Sequence, residues 1–299
     1  MNINQLETLI TISKTMSFRK AGELLNLTQP AVSAQIKSLE DEFGTVLVDR
    51  NQPVSLTDTG MLFLEHAEQI LSIVNDLKLK LTDMKATPQG HIRLGTTSSI
   101  AIQILPRVLS YFKNQYPLIK TTIHSMPSML IMSSVENGTI DIGIGYLSEK
   151  APGLNTSVLY YDSFELVASP QHPLAQRNCI SIKELQGAQF VMLSPDTAGR
   201  RYLDAMLEKY GVEIETVMEL SSGEEVKRMV ELNMGVAVIS KMSALIEKTG
   251  SLKLIKVEEF DSTHPVGVVT KTGKYLNSAM KQFLNDLMGM PENQFLGTE

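Results

Sequence analysis

The sequence predicts an α/β chain in three parts: a small helical head with a β-hairpin wing, one long linker helix, and a larger two-lobed α/β body. Three observations predict this. Residues 18–37, FRKAGELLNLTQPAVSAQIK, read as two short amphipathic helices around a tight polar turn. Residues 58–86 place apolar side chains at alternating spacings of four and three. Residues 91–299 alternate strand-like and helix-like segments, as largely parallel sheets covered by helices require.

Composition fits that plan. Of 299 residues, 43% are hydrophobic and 20% charged, enough apolar material for two or three cores. Cys179 is the one cysteine, so an intrachain disulfide is excluded and a reducing compartment is expected. The start of the chain carries Glu7 and neither a basic stretch nor a long apolar core, unlike a secretory signal. No apolar run approaches the roughly 18 residues of a membrane span. A cytoplasmic protein with no membrane partner is expected.

In the head, Asn4 is the expected cap of a first helix burying Leu6, Leu9, Ile10 and Ile12, and Ser17 and Thr28 cap the next two. The second helix buries Phe18, Ala21, Leu24 and Leu25, and the turn is Asn26-Leu27-Thr28. The third buries Val32, Ile36 and Leu39 and leaves Gln29, Ser33, Gln35 and Lys37 outside. Pro30 falls in its first turn, where a missing N–H costs little, and Gly44 ends it. Val46–Val48 and Val54–Leu56 flank Asn51-Gln52-Pro53 as a wing. Two helices joined by so short a turn cross steeply, and the second can enter a DNA major groove. Net charge is −6, and residues 1–58 hold five basic against seven acidic side chains. Bulk charge therefore cannot drive binding to phosphates; the basic residues must share one face.

The long helix places Phe63, Ala67, Ile70, Val74, Leu77, Leu81 and Met84 on one seam. A helix beside so small a head has little else to pack on, so the seam is expected to form a dimer; packing on its own chain is the alternative. Thr87-Pro88-Gln89-Gly90 then breaks the helix as a hinge.

In the body, strands are expected at 91–95, 120–124, 141–146, 164–168, 189–193, 215–220, 236–239 and 266–269. Helices are expected at 100–113, 129–137, from about 200, at 224–232 and at 276–288. The divisions are 1–58 for the head, 59–90 for the linker and 91–299 for the body. Lobe 1 takes about 91–161 and 267–299, and lobe 2 takes 162–266. Two such lobes form a natural small-molecule cleft. Thr96, Thr97, Ser98 and Ser99 follow the first strand and open a helix, where hydroxyls and free N–H groups suit an anion. Ser125, Pro127 and Ser128 repeat the arrangement after the second strand. From the other lobe, Ser194, Thr197 and Arg200 are expected to face them, Arg200 supplying a bidentate charge. Each loop read alone is equally an ordinary helix cap.

Residues 18–37, continued through SLEDEFGTVLVDR and LTDTG, strongly resemble the LysR-type transcriptional regulators, with Thr28–Glu40, TQPAVSAQIKSLE, the most specific stretch. The resemblance extends over the whole chain: winged helix, linker helix and a two-lobed effector domain built like periplasmic binding proteins. Val48 stands where an aromatic is usual, Asp58 where proline is common and Gly22 where alanine is typical, the last at a cost of up to about 1 kcal/mol to its helix. The resemblance implies a promoter-binding regulator gated by a small effector, with RNA polymerase a further partner and a dimer of dimers as its assembly. It places the third helix in the major groove of double-stranded promoter DNA. Gln29, Pro30 and Ser33 then lie at base edges, with Phe18, Thr28 and Gln35 beside them. Arg19, Lys20 and Lys37 go to phosphates, and Arg50 to the backbone or minor groove.

Two other classes of function were weighed. A solute-binding protein would lack the helix-turn-helix. An enzyme would need a catalytic constellation, and none is readable: no GxSxG elbow, Walker loop or GxGxxG is present. Asp58-Thr59-Gly60 matches an aspartic-protease tripeptide but lacks a second copy, and the five histidines are scattered without metal-ligand spacing. Neither cofactor nor metal is expected.

Overall fold

A computed structural model describes residues 1–51, 53–83, 90–148, 151–245, 251–260 and 262–290. The chain forms two compact units, Met1–Lys85 with Asn137–Thr139 and Ala86–Glu136 with Ile140–Glu299.

The first unit opens with α1 (Ile3–Thr15), α2 (Phe18–Leu25) and α3 (Gln29–Phe43). Ser17 caps α2 and Thr28 caps α3, each side chain accepting a backbone N–H, and Gly44 ends α3 at φ 62°. The cap of α1 is Asn2 rather than Asn4. Asn2 and Gln5 form a reciprocal capping box, which satisfies two N–H groups and outcompetes a cap two residues later. The wing is β1 (Val48–Asp49) paired antiparallel with β2 (Ser55–Leu56), Val48 opposite Leu56. It is shorter than its apolar residues suggested, and Val46 is exposed. Leu9, Ile12, Ala21, Val32, Ile36, Leu39, Leu47 and Val48 make one core, joined by Phe18, Val54, Leu56 and Phe63. Leu24, expected inside, is 68% exposed: the α2 face that meets α1 and α3 is carried by Ala21 and Gly22. Gly22 is also no simple loss to its helix. A Cβ there would stand 2.6 Å from the Leu27 carbonyl oxygen, so glycine lets the turn close against α2.

The long helix is α4 (Asp58–Asp83). Thr57 donates to the Val46 carbonyl at 2.7 Å and accepts from Gly60 N–H at 2.9 Å, so the Asp-Thr-Gly stretch is a helix start. A Cβ on Gly60 would lie 2.0 Å from the Leu47 carbonyl oxygen. Phe63 packs into the head core and edge-on against Phe43, with ring centroids 5.0 Å apart, and Ala67 is fully buried. The early seam positions therefore serve their own chain, because the first turns of α4 lie along α1. Ile70 and Val74 are half-buried, while Leu77 and Leu81 are exposed. Met84 and Thr87–Gln89 fall outside the described residues, and Gly90 belongs to the next strand rather than to a hinge.

The second unit has two lobes. In lobe 1 the sheet order is β4 (Ile119–Ser125), β3 (Gly90–Thr96), β5 (Ile142–Tyr146), β13 (His264–Lys271), β6 (Leu154–Asp162). Its α-helices are α5 (Ser98–Gln103), α6 (Leu105–Gln115), α7 (Ser128–Glu136) and α11 (Ser278–Met288). The single helix expected at 100–113 is two, because Pro106 cannot donate to the preceding turn and instead starts α6. In lobe 2, β11 (Ala237–Ser240), β7 (Phe164–Ala168), β12 (Lys253–Val257) and β8 (Cys179–Ile180) form one sheet. It joins the parallel pair β9 (Gln189–Leu193) and β10 (Glu215–Leu220) through a bridge between Phe190 and Val236. Its α-helices are α8 (Ala198–Tyr210), α9 (Gly223–Glu231) and α10 (Lys241–Leu245).

The sheets are mixed rather than largely parallel. β3 runs parallel to β4 and β5, but the returning β13 enters antiparallel between β5 and β6, and β7 pairs antiparallel with β11 and β12. The chain crosses between lobes at β6–β7 and returns at β12–β13, and these crossings create the antiparallel pairs.

Candidate functional site

Two sites stand out, one in each unit. In the head, Phe18, Arg19, Gln29, Ser33 and Arg50 converge on one concavity with Pro53 and Val54 of the wing. α3 supplies Gln29 and Ser33 from its first two turns, so both project where a groove edge would meet the helix. Pro30 and Lys20 are exposed beside them, and Lys37 is exposed one turn beyond Ser33. Thr28 spends its hydroxyl on capping α3, accepting from Ala31 N–H at 3.4 Å. Gln35 departs from expectation: its side-chain oxygen accepts from the Thr8 hydroxyl of α1, which turns it inward and away from the concavity.

Glu40 organises the site and was not singled out from the sequence. Its Oε1 accepts from Leu47 N–H at 2.9 Å and Val48 N–H at 3.2 Å, and its Oε2 pairs with Arg50 at 2.9 Å. One carboxylate thus ties α3 to the wing and aims Arg50, whose guanidinium carbon sits 5.8 Å above the Phe18 ring. Three acceptor contacts to residues seven to ten positions away require the folded wing, so spacing alone gives no signal. Arg19 makes an exposed pair with Glu23.

In the second unit a cavity of about 310 Å³ lies between the lobes. Thr97, Ser98, Ser99, Ser125, Pro127 and Ser128 line it from lobe 1, and Ser194 and Thr197 from lobe 2. Ser128 accepts from Tyr146 N–H at 3.2 Å; Ser194 donates to the Leu220 carbonyl and Thr197 caps α8. Ser221, Ser222 and Gly223 bring the start of α9 to the same wall. Thr96 is fully buried and absent from the lining; its hydroxyl has no partner among the described residues.

Arg200 is absent from the lining too. Its Nε bonds Asp204 at 2.9 Å, and its Nη1 bonds Glu219 at 2.9 Å and the Leu193 carbonyl at 2.8 Å. Burial works against its charge, but the bonds to Glu219 and Asp204 outweigh it and hold its pKa above the ordinary value. The arginine is a strut between α8 and β10, and, contrary to expectation, its guanidinium is turned to these partners and not to the cavity.

The back of the cavity was missed by sequence reasoning. Tyr146 and Ser240 line it, and behind them lies Asp162, 2% exposed, at the first crossing between lobes. Asp162 accepts from the Tyr146 hydroxyl at 3.0 Å, from Ser163 N–H at 2.9 Å and from Met242 N–H at 3.3 Å, with the Ser240 side chain also supporting it. Burial raises its pKa despite these bonds, and burial followed by the Asp162 charge pushes the Tyr146 phenol well above its ordinary value. No sequence pattern links positions 146, 162 and 240. In lobe 1, Asp141 makes a separate buried cluster with Arg93 at 2.7 Å and Lys274 at 2.8 Å. Burial tends to raise its carboxyl, but the Arg93 hydrogen bond and the Lys274 charge outweigh it and hold it below the usual range.

A winged head with a basic-edged concavity and a two-lobed unit with a hydroxyl-rich cleft fit a one-chain, ligand-responsive DNA-binding regulator. Residues 3–61 match the model of the bacterial regulatory helix-turn-helix protein, lysR family, and residues 85–289 match the LysR substrate binding domain. The chain belongs to the LysR family: it is a transcriptional regulator with a DNA-binding head and an effector-binding domain, not an enzyme. It is 30% identical over 295 residues to a probable RuBisCO transcriptional regulator of Phaeodactylum tricornutum, covering 95% of each chain. It is 28% identical to the HTH-type transcriptional regulator YtlI of Bacillus subtilis, over 90% of this chain and 87% of that one. Among solved structures it resembles the CcmR regulatory domain of Synechocystis PCC6803 in complex with 2-PG, at 25% identity and a TM-score of 0.62, over 67% of this chain and 97% of that one. Full-length CbnR complexed with target DNA shares the fold at 16% identity and a TM-score of 0.66, over 96% of this chain and 99% of that one.

Proposed function

We propose that this regulator acts in the cytoplasm on promoter DNA as a dimer of dimers, with a small anionic effector in the inter-lobe cleft selecting among its assembly states. The observation that carries the reading is the convergence of hydroxyls and helix starts from both lobes on one 310 Å³ cavity. The CcmR regulatory domain, solved with 2-PG, supports a small anion as the ligand class.

Gln29 and Ser33 read base edges, and Arg19, Lys20 and Lys37 hold phosphates. The dimer seam runs along the exposed part of α4, where Ile73, Leu77 and Leu81 are 69%, 56% and 61% exposed. Effector domains pair through apolar side chains exposed on both lobes, Ile123, Met129 and Leu130 on the first and Leu232 and Met234 on the second. RNA polymerase is the downstream partner. A ligand shifts such states only by its differential affinity for them, so the effector changes DNA bend and footprint more than raw affinity.

The test is a footprint of the full-length protein on the DNA upstream of its own gene, with and without small carboxylates and phosphates. Protection over two spaced half-sites that changes with one compound is expected. Gln29→Ala should lower the ratio of operator to scrambled-site affinity by about 1–3 kcal/mol. An unchanged ratio removes Gln29 from base readout, and an unchanged footprint at saturating ligand removes the gating.

A further inference from the structure

The cleft lacks the charge that an anion site usually carries. Among the described residues no lysine, arginine or histidine lines it. Arg200 is held by Asp204 and Glu219, and Arg201 donates to the Asp196 carbonyl at 2.8 Å. Lys227, behind Ser243, pairs with Glu224 at 2.7 Å and reaches the Ser243 carbonyl at 3.4 Å. Three carboxylates remain. Asp196 lies at the exposed rim, the exposed Glu225 accepts from the lining Ser221 hydroxyl at 3.1 Å and Ser222 N–H at 3.0 Å, and Asp162 sits behind the Tyr146–Ser240 wall with the neutral partners described above.

The cavity is therefore polarised. On one side the starts of α7 and α8, at Ser128 and Ala198, present backbone N–H groups and hydroxyls, which favour a negative group, while the start of α9 is already satisfied by Glu225. On the other, a buried carboxylate backs a hydroxyl wall and favours a positive one. A dianion would satisfy the first side and be opposed by the second, with no side-chain cation on the lining to offset it.

We infer that the effector is a small zwitterion of amino-acid type, its carboxylate against the helix starts and its ammonium toward the Tyr146–Ser240 wall backed by Asp162. The inference rests on the cleft being the effector site, as proposed above, and replaces the small anion proposed there with a ligand that carries an ammonium beside its carboxylate.

Calorimetric titration of the full-length protein tests it. The probes are the proteinogenic L-amino acids, the matching des-amino monocarboxylates (propionate beside alanine, 3-hydroxypropionate beside serine), 2-phosphoglycolate and inorganic phosphate. At least one amino acid should bind about tenfold or more tighter than its des-amino partner and than 2-phosphoglycolate. Asp162→Asn should reduce that preference to within about twofold while the des-amino compound still binds. Ser240→Ala, which leaves the Asp162 backbone contacts in place, should reduce it in the same direction if the first variant does not fold. A phosphorylated or des-amino acid binding as tightly as any amino acid overturns the inference and leaves the effector cleft standing. Absence of binding by every class overturns both.

Discussion

The head faces DNA and the cleft, by our proposal, a ligand carboxylate, and they are built in opposite ways. In the head, Arg19, Lys20 and Lys37 stand exposed on a unit whose own balance is acidic. In the cleft the nearby cations are spent on their own chain, and hydroxyls and helix starts face the cavity instead. The difference teaches that the partner sets the device. A phosphate backbone is a continuous charge that flexible exposed cations can follow, and its binding is driven by released counterions. A small ligand offers one or two groups at fixed positions, where preorganised donors cost little entropy and do not attract every anion in solution.

Salt gives the largest separation of the two. The three cations proposed to face phosphates in each head, doubled in a dimer, imply a loss of DNA affinity of about 10³-fold between 50 and 200 mM salt. Effector affinity should change by less than about twofold over the same range, because the lining holds neutral hydroxyls and helix starts and the Asp162 charge behind them is buried from screening salt. Fluorescence anisotropy on operator DNA and calorimetry with effector, run across that range, decide the point. Equal slopes would break the comparison.

Acid sharpens it next. The Asp141 carboxyl is held below its ordinary value in the folded state by Arg93 and Lys274. A depressed carboxyl contributes stability that is present above its unfolded value, about 4, and is lost as pH falls through the folded value. Asp141→Asn should destabilise the effector unit by about 3–5 kcal/mol at neutral pH, since it removes the charge that Arg93 and Lys274 share, and should flatten the acid limb of its unfolding. Urea unfolding at several pH values reads both effects, and an unchanged acid limb would show that Asp141 is not the group lost there.

The smallest effect is the most diagnostic. Arg200→Ala should leave effector affinity within about twofold while lowering stability by about 1 kcal/mol, because the guanidinium holds α8 to β10 rather than the ligand. A large loss of effector binding with an unchanged melting temperature would return Arg200 to the cleft.

Local signals were legible in the sequence and long-range partners were not. Ser17, Thr28, Pro30 and Gly44 act within four residues of themselves, and the helices they start and stop fall where spacing put them. Asn2 was legible in the same way through Gln5, but Asn4 offered a competing cap. The hydroxyl loops at 97–99 and 125–128 were readable because each follows a strand and opens a helix. β6 was not, because most of it is exposed and shows no apolar alternation, and it owes its pairing to β13, a hundred residues later. Gln35 and Arg200 were misplaced for one reason: Thr8 and Glu219, which turn them, belong to other elements. Glu40 and Asp162 were overlooked because a carboxylate that accepts backbone N–H groups looks in sequence like any solvated acid.

The start of α4 bears on how this protein can be recombined. Gly60 fits against the Leu47 carbonyl, Phe63 joins the core beneath the wing, and Ala67 is fully buried one turn further along. A graft that cuts at the end of the wing would divide a hydrophobic core and leave the transplanted head with a hole in its floor. Chimaeras of this regulator should be joined beyond Ala67, and drift in the first turns of its linker is constrained by the head's packing as much as by its dimer partner.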